Sequence, residues 1–177
     1  MKIDANGWLS GVRRIVSPNC DARPPGTPVE LLVIHNISLP PGQFGGEEIV
    51  RLFTNTLNTA DHPYYEQIRG LKVSAHFLVR RDGDIVQFVA CGKRAWHAGA
   101  SLWQGRPRCN DFSIGIELEG SDEVPFDERQ YGSLVRLSRR LKRTYPIRSI
   151  VGHADIAPER KTDPGPYFDW GRYLNNL

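Results

Sequence analysis

Residues Phe112–Glu119 alternate with a period of two, and this alternation constrains the fold more than any other stretch of the chain. In an extended segment Phe112, Ile114, Ile116 and Leu118 share one face, while Ser113, Gly115, Glu117 and Glu119 share the other. The first face needs a core. The second carries small residues and carboxylates, which suits the floor of a groove better than a second packed layer. Leu31-Leu32-Val33-Ile34 opens another buried strand, running to Asn36 and bounded on both sides by Pro/Gly-rich stretches.

Lys72–Arg80 and Asp84–Ala90 read as two strands joined at Asp82-Gly83, a dipeptide that favours a hairpin turn. Gly46–Asn55 predicts a short helix with Ile49, Leu52 and Phe53 on one side. Asp127–Tyr145 predicts a longer helix, with Asp127 as N-cap, Gln130 completing a capping box and Phe126 with Tyr131 as a hydrophobic staple. Leu134, Leu137 and Leu141, with Val135 beside them, form its core stripe. Ser149–Val151 reads as a short strand and Phe168–Asn175 as a closing helix. Strands mixed with helices predict an α/β fold, a central mixed β-sheet flanked by helices. No repeat, low-complexity tract or linker divides the 177 residues, so residues 1–177 are expected to form a single domain.

The chemistry concentrates in the run from Gly152 to Pro166, where Pro and Gly forbid a continuous helix. It holds His153, Lys161 and Asp163. Together with His35, at the end of the first buried strand, it offers two imidazoles and one carboxylate. Three such ligands with a fourth position left open are what a catalytic zinc uses. Read from its position alone, His35 is equally a satisfied core histidine.

Val33-Ile34-His35-Asn36, Ser74-Ala75-His76-Phe77, Ala95-Trp96-His97-Ala98-Gly99, Ile114-Gly115-Ile116-Glu117 and the run Gly152–Pro166 together resemble the type 2 N-acetylmuramoyl-L-alanine amidases. These zinc enzymes share a fold with phage amidases and the peptidoglycan recognition proteins. Asn36–Gly42 and Arg108–Ser113 are similar to the branch that acts on 1,6-anhydro muropeptides in cell-wall recycling and influences β-lactamase induction. The resemblance spans nearly the whole chain, from Gly7 to Trp170. It implies one Zn2+ held by His35, His153 and Asp163, with Glu117 as general base and Lys161 as electrophile. It implies hydrolysis of the amide between 1,6-anhydro-N-acetylmuramic acid and L-alanine. Arg108 matches a carboxylate binder, which suits a planar guanidinium. Asn36 and His97 are the further candidates for substrate contact, with Lys72 a weaker one, since the family usually carries Arg there.

Other classes are less well served. Cys20, Cys91 and Cys109 form an odd, unpaired set that fits a reducing compartment, and none opens a helix beside a histidine as a Cys-His hydrolase requires. No apolar run is long enough for a signal peptide or a membrane span, so a cytoplasmic location is expected. Net charge is only +3, and the basic cluster from Arg136 to Arg143 lacks the interleaved aromatics of a nucleic-acid surface. The expected partner is a small muropeptide, bound by a monomer; a non-catalytic muropeptide sensor is the alternative, but it would lack one of the three ligands. His76 is expected to be structural, and His62 is left without a role.

Overall fold

The alternating segment forms the strand Ser113–Glu119, buried along its whole length. The structure is a computed structural model that describes residues 1–177. In chain order it contains β1 (Arg13–Arg14), β2 (Cys20–Ala22), β3 (Leu31–Ile37), α1 (Glu48–Phe53), α2 (Pro63–Gln67), β4 (Phe77–Val79), β5 (Ile85–Gln87) and β6 (Lys93–Ala95). There follow β7 (Leu102–Trp103), β8 (Arg106–Pro107), β9 (Ser113–Glu119), α3 (Glu128–Thr144), β10 (Ser149–Gly152), α4 (His153–Ile156) and α5 (Trp170–Leu174). Short 3₁₀ turns lie at Thr59–Asp61 and Cys109–Phe112.

Six strands form one mixed sheet in the order β1-β5-β4-β9-β3-β10, in which only the β4–β5 pair is antiparallel. The predicted alternation sorts the two faces. Leu32 and Ile34 of β3 and Ile114, Ile116 and Leu118 of β9 pack with Leu134, Leu137 and Leu141 of α3 and with Tyr173 of α5. Each of those α3 leucines is fully buried, a gain of roughly 1.5–3 kcal/mol apiece. On the opposite face Leu78, Val86 and Phe88 pack with Ile49, Leu52 and Phe53 of α1 and Tyr65 of α2. Leu31 and Val33 meet Val151, Ile156, Phe112 and Ala98 in a third, smaller cluster. His35 and Glu117 therefore point away from α3, at the carboxyl ends of adjacent parallel strands, where open α/β sheets place their sites.

The capping box on α3 is present: Gln130 Oε1 accepts from the Asp127 N–H at 3.0 Å, and the Asp127 carboxylate caps the first turn. Phe126 and Tyr131 are both buried, and they meet through the Phe168 ring rather than as a simple pair. Several elements are shorter than expected. The strand read as Lys72–Arg80 is regular only at Phe77–Val79, because Val73 and Ser74 bond elsewhere: the Val73 carbonyl accepts from Asn19 Nδ2 and the Ser74 N–H donates to the Trp96 carbonyl. The hairpin turn holds, with Gly83 at φ +85°. The strand read as Asp84–Ala90 and the helix read as Gly46–Asn55 contract to Ile85–Gln87 and Glu48–Phe53. The closing helix begins at Trp170, where Asp169 accepts from the Arg172 N–H. His153 opens a single helical turn rather than a loop. Unread were β1, β2, β6 and the β7–β8 hairpin, whose two or three residues carry no periodicity, and α2, whose N-cap is the His62 ring accepting from the Tyr64 N–H.

Candidate active site

The parallel ladder places three chemistry-bearing residues in a row. His35 pairs in register with Glu117 of β9, and Gly152 of β10 pairs with Ile34, so His153 follows beside His35. Asp163 arrives from the segment after α4. That segment is held by the Ala154 N–H donating to the Asp163 carbonyl at 2.9 Å and by Asn36 Nδ2 donating to the Pro164 carbonyl at 3.1 Å. Gly152 is required here, since a Cβ would lie 2.7 Å from Pro164 Cδ.

His35 Nδ1, His153 Nδ1 and Asp163 Oδ2 form a triangle with edges of 3.0, 3.0 and 3.1 Å. Donors about 2.0–2.1 Å from one tetrahedral zinc stand roughly 3.3 Å apart, so these three atoms are spaced to share a cation. No other group of three potential ligands gathers this closely in the molecule. The donor set also fits in its second layer. His153 Nε2 faces the Ala98 carbonyl at 3.2 Å, which favours a proton on Nε2 and leaves Nδ1 bare. Burial lowers the His35 imidazole to about 4, keeping it neutral as a ligand must be. Burial would raise the Asp163 carboxyl, but the His153 and His35 imidazoles beside it outweigh that and hold it below the usual range. The group can therefore hold a metal ion.

Glu117 is buried, and its Oε2 has no hydrogen-bond partner. Burial pushes its carboxyl well above the ordinary value, the Asp163 charge adds to this, and Lys161 opposes it. A buried carboxyl oxygen without a partner, beside a group that could hold a metal, marks Glu117 as a candidate functional residue. Glu117, Lys161, His35, His153 and Asp163 all line one cleft of about 360 Å³, which is lined also by Leu52, Tyr64 and Trp96.

Of the remaining candidates, Asn36 and His97 line the cleft and Arg108 and Lys72 lie outside it. Asn36 lines the cleft, but its amide N–H groups are taken by Asp122 Oδ1 at 2.6 Å and the Pro164 carbonyl, so it acts first as a tie for the Asp163 segment. His97 also lines the cleft, yet both ring nitrogens face protein partners, His35 Nε2 at 3.0 Å and Ser113 Oγ at 3.1 Å. Arg108 lies outside the cleft wall, in a left-handed conformation at φ +58°, its side chain 78% exposed with Nε 3.2 Å from Asp111 Oδ2. Lys72 is exposed on a neighbouring depression with Arg69, which shares Leu52, Ile68 and Leu71 with the cleft. His76 is structural: Nδ1 accepts from the Gly115 N–H and Nε2 donates to the Lys93 carbonyl.

Sequence reading missed Asp122, Asn110 and Arg160. Asn110 Oδ1 accepts from the N–H groups of His97 and Ala98, and Arg160 Nη2 bonds the carbonyls of Ala98 and Ala100. Asn110 and Arg160 stood inside motifs that could have flagged them, whereas Asp122 did not. The cysteines are all free, and burial pushes the Cys91 thiol up to about 12, which disfavours a thiolate nucleophile.

Residues 25–166 match the family model described as N-acetylmuramoyl-L-alanine amidase. The chain is 57% identical to the 1,6-anhydro-N-acetylmuramyl-L-alanine amidase AmpD of Escherichia coli K12, over 94% of this chain and 92% of that one. A crystal structure of a selenomethionine AmpD derivative superposes with a TM-score of 0.97 at 55% identity, covering 100% of this chain and 99% of that one. The E. coli amidase AmiD, in complex with the substrate anhydro-N-acetylmuramic acid-L-Ala-D-gamma-Glu-L-Lys, superposes with a TM-score of 0.61 at 32% identity, covering 88% of this chain and 60% of that one. The sheet, its row of His35, Glu117 and His153, and this breadth of similarity lead to one assignment: the chain belongs to the N-acetylmuramoyl-L-alanine amidase family.

Proposed function

We propose that the protein is a zinc-dependent amidase that hydrolyses the amide between 1,6-anhydro-N-acetylmuramic acid and L-alanine in muropeptides. The observation that carries the reading is the unpartnered Glu117 Oε2 set beside the triangle of His35, His153 and Asp163. The substrate class follows from the relatives, AmpD by its similarity along nearly the whole chain and AmiD by the ligand it holds.

His35, His153 and Asp163 would hold the zinc, which when bound supplies Lewis-acid chemistry by acidifying water and polarising a carbonyl. Glu117 Oε2 accepts a proton from the attacking water and delivers it to the alanine nitrogen as the C–N bond breaks. The Lys161 ammonium, on the same cleft wall, donates to the carbonyl oxygen as negative charge develops there. The products are the anhydro-sugar acid and a stem peptide with a free amine. Leu52, Tyr64 and Trp96 pack the sugar and peptide, and Arg108 and Lys72 engage peptide carboxylates from outside the cleft. Free cysteines favour the cytoplasm, no helix is long and apolar enough to cross a membrane, and we expect a monomer.

The test is metal analysis of the purified protein together with a muropeptide digest read by mass spectrometry. One zinc per chain and release of the anhydro-sugar acid with intact peptide are expected. Full turnover by thoroughly metal-free protein would reject the zinc reading; a zinc-loaded protein that binds muropeptide without cleaving it would favour a sensor.

A further inference from the structure

We propose that His97 is a positioning residue which, with Ser113, couples to the tautomer of His35 and so lets it present its Nδ1 bare to a cation in the cleft. The inference rests on the reading of His35 as a metal ligand.

Three groups are in line. His35 Nε2 lies 3.0 Å from His97 Nδ1, and His97 Nε2 lies 3.1 Å from Ser113 Oγ. Each contact needs one donor and one acceptor, and a neutral imidazole carries one of each. The proton positions are therefore coupled. If His35 keeps Nδ1 bare, its proton is on Nε2 and is donated to His97 Nδ1; His97 then carries its own proton on Nε2 and donates to Ser113 Oγ. In the opposite arrangement Ser113 donates to His97 Nε2, His97 donates to His35 Nε2, and the His35 proton points at Asp163 Oδ2, 3.0 Å away. The serine hydroxyl can rotate to serve either direction, so His35 shifts its proton away from the cleft with no change in charge and with every contact along His35, His97 and Ser113 still paired; the bare Nδ1 atoms and Asp163 Oδ2 are then left for a cation.

The ring is built into place. A Cβ on Gly115 would stand 2.4 Å from His97 Cγ, so the imidazole lies directly against the backbone of β9. Asn110 Oδ1 anchors the His97 backbone at 3.2 Å, and the ring meets His35 edge-on with centroids 5.0 Å apart. A histidine serving only to fill this space would need neither the Ser113 hydroxyl nor a nitrogen facing His35.

The test has two arms. In metal-free wild type labelled with 15N, imidazole spectra should show a through-bond coupling between His35 Nε2 and His97 Nδ1, with both rings in like tautomers. Absence of the coupling, or unlike tautomers, overturns the proposal. In the second arm, zinc affinity is measured by competition with a chromogenic chelator. His97→Phe, which keeps a planar ring but has no acceptor, should lose about 10–100-fold, the usual effect of removing a ligand's hydrogen-bond partner. His97→Asn, whose Oδ1 stands near the Nδ1 position, should recover most of that loss, and Ser113→Ala should fall between. Equal losses for Phe and Asn, or none for Phe, would reduce His97 to packing. Should His97→Phe fail to fold, His97→Asn and Ser113→Ala decide alone, Ser113→Ala being expected to lower affinity and Asn to retain it. A wild type that shows the coupling but binds no zinc overturns the zinc reading and leaves the positioning of His35 standing.

Discussion

His35 and Glu117 are direct register partners across the parallel pair β3 and β9. An imidazole of the candidate metal group and a buried carboxyl are thus fixed side by side by the backbone ladder, at an inter-strand spacing of about 4.8 Å, with no loop involved in setting their separation. The pairing separates the two roles cleanly, and this gives the first test.

Glu117→Gln keeps size and shape and removes the proton acceptor. General acid–base catalysis contributes typically about 10²–10⁴-fold, and kcat should fall by that order with KM nearly unchanged. Zinc content, read by atomic absorption, should match wild type. Near-normal kcat in zinc-loaded Glu117→Gln would reject Glu117 as the base, and loss of zinc would make it a ligand or a support for one.

The same substitution has a pH-dependent effect on stability in the metal-free protein. The folded-state Glu117 carboxyl is raised above its unfolded value, principally by burial and then by the Asp163 charge. Its contribution to stability is therefore complete below the unfolded value of about 4.3 and is lost as pH rises through the folded one. The melting temperature of Glu117→Gln relative to wild type should climb as pH rises from about 4 to about 8. A difference independent of pH, measured by calorimetry, would contradict the burial of an ionised carboxylate at this position.

Chelation should abolish activity and zinc should restore it, whereas Cys20, Cys91 and Cys109 together changed to Ala should leave kcat within a few-fold. Ala is the better replacement because Cys91 and Cys109 are fully buried, where a Ser hydroxyl costs more to desolvate than a thiol. Loss of turnover in the cysteine-free protein at normal zinc content would restore the thiol as a candidate nucleophile.

Gly115→Ala should disturb the site through His97, since its Cβ would meet the ring at 2.4 Å. Overpacking of this kind costs typically about 1–3 kcal/mol. Both melting temperature and chelator-measured zinc affinity should drop. An unaltered melting temperature would mean that the ring moves freely aside.

Arg108→Ala should raise KM with little change in kcat. Because the guanidinium starts largely exposed, the low end of the charge-assisted range applies, about 1.5 kcal/mol or roughly ten-fold. A selective loss of kcat would place Arg108 among the groups that act on the reacting bond.

The residues that could be read from the chain alone are those governed by local periodicity or by an intact motif. The faces of β9 and the stripe and cap of α3 follow from spacing, because each pattern commits a whole element to one orientation. His35, His153 and Asp163 stand 118 and 10 residues apart in sequence, and only the motif brought them together before the structure did. What could not be read is what the hydrogen bonds of loops decide. Asn36 and His97 line the cleft as read, but the ties of Asn36 to Asp122 and Pro164 and of His97 to Ser113 and His35 could not be read. Such partners lie 16 to 128 residues away and leave no periodic trace.

The three donors are not equally anchored. Two stand at the ends of paired strands that open only when the sheet does. Asp163 rides on a segment fastened by the Ala154 N–H, by Asn36 and, further back, by the grip of Arg160 on the carbonyls of Ala98 and Ala100. Detaching that segment removes one donor of three and leaves every strand in register. The site can therefore lose its carboxylate by the opening of this one strap, well before the sheet that carries its two imidazoles comes apart.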